Sequence, residues 1–104
     1  MVFGEGEEIK IGEATFIVHK APATVAYDFA IRYKMALEKQ DADELAKCNY
    51  MLLKYVEVVL DDGRKVPLDN KGIIDQHIMS ATALLELQQK AVAANFGSLP
   101  PESH

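Results

Sequence analysis

The chain has 104 residues, of which 49% are hydrophobic and 26% charged, and its formal net charge at pH 7 is −5. This length fits one globular domain, and the negative charge argues against a nucleic-acid partner, because an acidic surface repels phosphate backbones. The single cysteine excludes an internal disulfide, and no apolar run approaches the roughly 20 residues that a membrane-spanning helix needs. We therefore expect a soluble, cytoplasmic protein that binds neither nucleic acid nor membrane.

The first predicted element is a β-hairpin. Residues 1–7 are rich in glycine and acidic side chains, which predicts a flexible leader, and residues 8–20 (EIKIGEATFIVHK) then alternate as strands do. The pair Gly12-Glu13 suits a two-residue turn of type II′. An isolated hairpin is marginal in water, so this one must lie on helices or on a partner's sheet. No charge interrupts residues 15–18, which predicts a poorly protected strand edge and hence a homo-oligomer.

Three helical runs are predicted to follow the hairpin, at about residues 22–40, 41–60 and 72–95. In each run the apolar side chains recur at three- and four-residue spacing, as they do on amphipathic helices. The predicted fold is mainly α, within the α+β class: a short N-terminal β-hairpin followed by a three-helix bundle. It forms one domain over residues 8–97, and the proline-rich residues 98–104 are predicted to be a flexible tail.

Residues 56–68 (VEVVLDDGRKVPL) allow two interpretations. Their alternation on both sides of Asp62-Gly63 predicts a second hairpin. However, the helical apolar spacing that begins upstream continues to Leu60 without a break in phase, and Pro67 weakens a second strand. We favour a helix that ends at about Leu60, and the hairpin stays the alternative.

The side chains that could perform chemistry are scattered along the chain. Asp61 and Asp62 lie in a predicted turn with no second acid or base at a known spacing, and His77 has no His or Cys at the spacing of zinc ligands. Cys48 falls within an apolar stripe, which predicts a buried and unreactive thiol. No phosphate-binding glycine loop, nucleophile elbow or zinc-binding histidine motif is present. We expect no catalytic residue, no metal and no cofactor, and therefore no enzyme.

The predicted helices also carry a surplus of apolar side chains: they have more of them than the single buried stripe that each helix needs for core packing. A tightly packed three-helix core would account for this surplus as well as a binding surface would. Under the functional interpretation, the surplus forms a patch that receives a protein partner, because large exposed apolar patches mark interaction sites. The candidate partner-binding residues are Phe16, Tyr27, Ile31, Met35, Ile73, Met79 and Leu87.

The stretch IKIGEATFIVHKAPATVAYDFAIRY, from Ile9 to Tyr33, resembles the tail assembly chaperones of long-tailed bacteriophages, the family that binds the tape measure protein. Those proteins are small, acidic and mostly helical, and they commonly open with a short β element that leads through a junction rich in apolar and Ser/Thr residues into a helix. Beyond Tyr33 the likeness is one of layout. The resemblance implies a non-enzymatic chaperone that binds tape measure and tail tube proteins in the host cytoplasm during virion assembly. In many such phages a ribosomal frameshift also makes a longer form.

A second hypothesis comes from the charge of the chain. An acidic module of this size could regulate or inhibit a host protein by occupying a basic groove. Salt separates the two hypotheses, because electrostatic mimicry weakens steeply with ionic strength, whereas a hydrophobic chaperone contact responds little.

Overall fold

The computed structural model describes residues 6–97, which form a four-stranded antiparallel sheet and four helices packed around one core. The strands are β1 (Gly6–Ile11), β2 (Ala14–His19), β3 (Val56–Val59) and β4 (Lys65–Pro67), and the helices are α1 (Ala23–Lys39), α2 (Ala42–Met51), α3 (Lys71–His77) and α4 (Ala81–Phe96). Residues 1–5 of the predicted leader and the predicted tail 98–104 lie outside the described residues. Gly6 and Glu7, also assigned to the leader, belong instead to β1.

The predicted N-terminal hairpin is confirmed. Ile11 is the partner of Ala14, which leaves Gly12 and Glu13 as the two residues of the turn. Gly12 has a φ of +62°, and a positive φ at the first central residue is what a type II′ turn requires.

The first helix is also confirmed, since α1 matches the run predicted at residues 22–40. The chain leaves α1 at Gln40, which takes a left-handed φ of 53°. Asp41 then caps α2: its carboxylate accepts a hydrogen bond from the backbone N–H of Glu44 at 3.1 Å.

The sheet has the strand order β1-β2-β3-β4, so β2 is an interior strand. The stretch 15–18, predicted to be an exposed edge, pairs with β1 on one side and with β3 on the other. The edge argument for a homo-oligomer is therefore wrong. The true edges of the described sheet are β1 and β4, and β1 carries Glu7, Glu8 and Lys10, charges of the kind that discourage edge-to-edge pairing.

The favoured helix through Leu60 is wrong, and the alternative hairpin is confirmed. Helix α2 ends at Met51, and β3 pairs with β4 around a turn in which Gly63 has a φ of +88°. The segment becomes a strand because β-branched side chains pack well on a pleated surface. Val56 and Val58 alternate with half-buried neighbours and enter the core at 0% and 3% exposure.

The predicted helix over 72–95 is in fact two helices, so the three-helix bundle is also wrong. Helix α3 ends at His77, and α4 begins after Ser80, whose hydroxyl accepts a hydrogen bond from the N–H of Ala83 at 3.3 Å. Serine favours such a cap over a helix interior, so the chain breaks here. Because α4 starts as a new helix after this break, its side chains do not continue the spacing of α3. Leu87 and Ala91 lie on the buried side of α4.

The core fills the space between one face of the sheet and the helices. Phe16 of β2 lies opposite Val58 of β3 on this face, and both are at most 3% exposed. Burying each such large apolar side chain contributes about 1.5–3 kcal/mol to folding. None of the described helices is long and apolar enough to cross a membrane.

The other face of the sheet carries a nearly buried polar contact between two strands. His19 of β2 is 7% exposed, and its Nε2 lies 2.7 Å from Oε1 of Glu57 on β3. Gly6 of β1 is the register partner of His19. A Cβ at position 6 would come within 2.8 Å of the imidazole and 2.5 Å of Ile17 Cγ2, so glycine allows β1 to approach.

Candidate functional site

One side of α1 is committed to the core. Phe29 and Ala36 are 1% and 2% exposed. The ring of Phe29 stacks on Tyr33 with centroids 5.4 Å apart, and it lies 6.0 Å from the ring of Phe96 at the end of α4. These contacts fix which way α1 faces, because rotating the helix would remove its large aromatic anchor from the core.

The opposite side of α1 presents three large apolar side chains to solvent. Tyr27, Ile31 and Met35 are 69%, 42% and 48% exposed. Their four-residue spacing puts them in one row along the helix, which we call the α1 row. The exposed residues Lys34 and Glu38 border it. For these three residues the interpretation as core packing is wrong, since no described element covers them.

The other candidate residues do not join this row. Phe16 and Leu87 are 2% and 0% exposed, so they are core residues, and their prediction as partner-binding residues is wrong for the folded chain. Ile73 of α3 is half-buried against the core. Met79 is 92% exposed, but it lies in the connection between α3 and α4 rather than on α1.

Two exposed apolar residues of α4 were missed by the sequence reasoning. Leu85 and Phe96 are 57% and 40% exposed. The signal that could have found them is Ser80, a preferred N-cap residue in the middle of the predicted helix.

The structure brings Asp61, Asp62 and His77 to one shallow cavity of about 490 Å³ at the end of the sheet where both hairpin turns lie. The carboxylate of Asp62 accepts hydrogen bonds from the side chain of Arg64 at 2.7 Å and from its backbone N–H at 3.0 Å. This pairing is typical of a turn stabilised by its own aspartate. Within residues 6–97, no three His, Cys, Asp or Glu side chains are grouped so that they could hold a metal ion.

We predict that Cys48 is unreactive in the folded chain. It is 0% exposed, and burial raises the pKa of its thiol; the carboxylates of Glu44 and Asp28 add to the rise, while the guanidinium of Arg32 opposes it. Because the thiolate is the reacting form, a raised pKa and a closed environment both slow labelling. A thiol reagent should modify the chain only after urea unfolds it. Complete modification under native conditions, with unchanged circular dichroism, would contradict the burial of this residue.

Comparison of this chain with protein-family models, with curated proteins and with solved structures finds no match. The functional interpretation therefore starts from the resemblance of residues 9–33 and from the geometry of α1.

Proposed function

We propose that this protein is a non-enzymatic assembly chaperone that binds the tape measure protein, and with it tail tube subunits, in the host cytoplasm during phage tail assembly. The observation that supports the proposal best is the α1 row. Three large apolar side chains stand exposed on a helix whose opposite side is buried, and such a surface is typical of an interaction site.

The dimensions of the row suit a helical partner. Tyr27 and Met35 are eight residues apart, which corresponds to roughly 12 Å along a helix at 1.5 Å per residue. A partner helix with apolar residues at three- and four-residue spacing can pack its ridge beside such a row. Lys34 and Glu38 would form part of the polar rim that surrounds an apolar contact.

The strength expected of the contact also suits a chaperone. Each of the three side chains is already partly shielded by its own helix, so a partner removes only part of its surface from water. Ordering the two chains costs free energy in return. The resulting affinity is moderate, and a moderate affinity allows the chaperone to leave when the tail matures. We include self-association through the same row in the proposal, and this would give a homo-oligomer.

Ile31→Asp should abolish partner capture while leaving the fold intact. Co-expression of the wild-type chain with the tape measure protein should raise the soluble fraction of that partner, and the two should co-purify. A charge in the middle of the α1 row makes its burial costly, so the variant should lose at least about tenfold in captured partner. Light scattering of the isolated chain, whose monomer mass is 11.5 kDa, follows self-association in the same samples.

The matched control is Gln89→Asp, which places the same residue at an exposed mid-helix position of α4. It should capture the partner as well as wild type does. The proposal fails if wild type neither solubilises nor co-purifies with the tape measure protein. It fails equally if both aspartate variants behave alike.

A second candidate function is a small acidic module that regulates or inhibits a host protein. The observation that favours it is the placement of Glu13, Asp61 and Asp62 around the cavity at one end of the sheet. Raising the salt concentration from about 0.05 to about 0.5 M should weaken a complex made by these carboxylates steeply and a complex made by the α1 row very little.

A further inference from the structure

A groove between α2 and the residues that lead into α3 shares no residue with the α1 row. It has a volume of about 480 Å³, and its apolar lining includes Tyr50, Met51, Leu68 and Ile74. Leu68 and Ile74 are core residues, 1% and 4% exposed, so the floor of the groove is the outer surface of the core itself. A floor of this kind is rigid, because its side chains are packed against the other residues of the core.

Three lysines border the groove in a chain whose net charge is −5. Lys47 comes from α2, Lys54 from the turn after it and Lys71 from the start of α3. All three are exposed, and within residues 6–97 none has a carboxylate within 4.0 Å. The ammonium of Lys71 lies 5.2 Å from the centre of the Tyr50 ring, a cation–π distance that holds the charge beside the groove.

The local charge balance is the reverse of that of the whole chain. Two carboxylates, Asp43 and Asp69, also border the groove, so three positive and two negative side chains leave a local charge of +1. The rest of the chain is strongly acidic, so an acidic ligand is repelled elsewhere and accepted here. A basic ligand would be repelled at the groove and attracted to the acidic rest of the chain.

We propose that this groove binds an acidic amphipathic segment of a protein partner, with its apolar side chains on the floor and its carboxylates against the three lysines. A groove with an apolar floor and charged borders is the usual receptor for an amphipathic helix. The floor contributes most of the affinity, whereas the lysines set orientation and select against basic segments. The inference does not rest on the proposed function, because it concerns a different surface.

The first test selects ligands without assuming a sequence. A display library of random peptides of about 16 residues, long enough for four helical turns, is panned on the full chain. Binders to Ala46→Trp are removed by counter-selection, because Ala46 is exposed on α2 and a Trp there fills the groove without changing the charge. The enriched peptides should be net negative, with apolar residues at three- and four-residue spacing.

The second test measures an enriched peptide by fluorescence anisotropy. Replacing Lys47, Lys54 and Lys71 together by Glu should weaken binding at least about tenfold. The matched control replaces three exposed lysines elsewhere, so that both proteins carry the same net charge, and it should change binding by less than about threefold. The control positions are Lys10, Lys39 and Lys90. Circular dichroism confirms that each variant is folded.

Three results would overturn the proposal. The first is a selection that enriches nothing, or that enriches neutral or basic peptides. The second is an equal loss of binding in the two triple variants, which would reduce the effect to net charge. The third is self-association of the chain that Ala46→Trp removes, because a second copy would then occupy the groove.

Discussion

Phe29→Ala is expected to lower the free energy of unfolding by about 3–5 kcal/mol, the usual cost of truncating a buried aromatic side chain. Phe29 is 1% exposed and contacts the rings of Tyr33 and Phe96, so its removal leaves a cavity between α1 and the end of α4. A small domain has only about 5–15 kcal/mol of stability in total, so the variant should unfold at a much lower urea concentration.

Tyr27→Ala is the matched control for this prediction, on the same helix and two residues away. Tyr27 is 69% exposed, so its truncation should change the free energy of unfolding by no more than about 0.5 kcal/mol. Urea unfolding followed by circular dichroism measures both variants. Equal losses for the two would mean that α1 does not face the core as the structure has it.

Val58→Glu should cost about 4 kcal/mol or more and leave little folded protein, since it buries a carboxylate in the core. Val58 is 3% exposed on β3, opposite Phe16. The measurement is urea unfolding, supported by the dispersion of amide signals in the NMR spectrum.

The neighbouring variant Val59→Glu is the control. Val59 is half-buried on the other face of the sheet, where its register partner is Lys65 of β4. Opposite charges that face each other across strands are favourable, so this variant should lose about 1 kcal/mol or less. In a helix, adjacent positions point only about 100° apart, whereas in a strand they point to opposite faces. Similar costs at both positions would count against the strand.

The parts of the fold that were predicted correctly carry their signals locally. Gly12 supplies the positive φ of its own turn. Helix α1 has an apolar side long enough to mark its period without help from the rest of the chain. Such elements can be read from a few neighbouring residues.

The strand β3 could not be predicted in this way because its support is distant in sequence. Val56 and Val58 become core residues only when β2, the strand of Phe16 and Val18, lies beside them. In the isolated sequence their spacing also continues the helical stripe of α2, so local pattern favoured the wrong element. Pro67 did not prevent the hairpin, because it lies in the edge strand β4, where a missing backbone donor is tolerated.

The candidate site could be predicted only in part, because residues distant in sequence decide which of its side chains are buried. On α1, the side chains of Tyr27, Ile31 and Met35 are exposed, and no described element packs over them. Phe16 and Leu87 were predicted to bind a partner, whereas the fold buries both of them in the core between the sheet and the helices. The lysine-bordered groove could not be predicted from the sequence, since its residues come from separate elements that only the fold brings together.

The strand order also has a consequence for the order of events during synthesis. Residues 20–55, which contain α1 and α2, separate β2 from its partner β3. The two hairpins of the sheet form from near neighbours, but joining them requires a long-range closure, which is the slow kind of step in folding. Because synthesis starts at the N-terminus, β1 and β2 emerge from the ribosome before β3 does. In the nascent chain the inner side of β2 is therefore an open strand edge, and this is the interval in which the protein is most prone to aggregate.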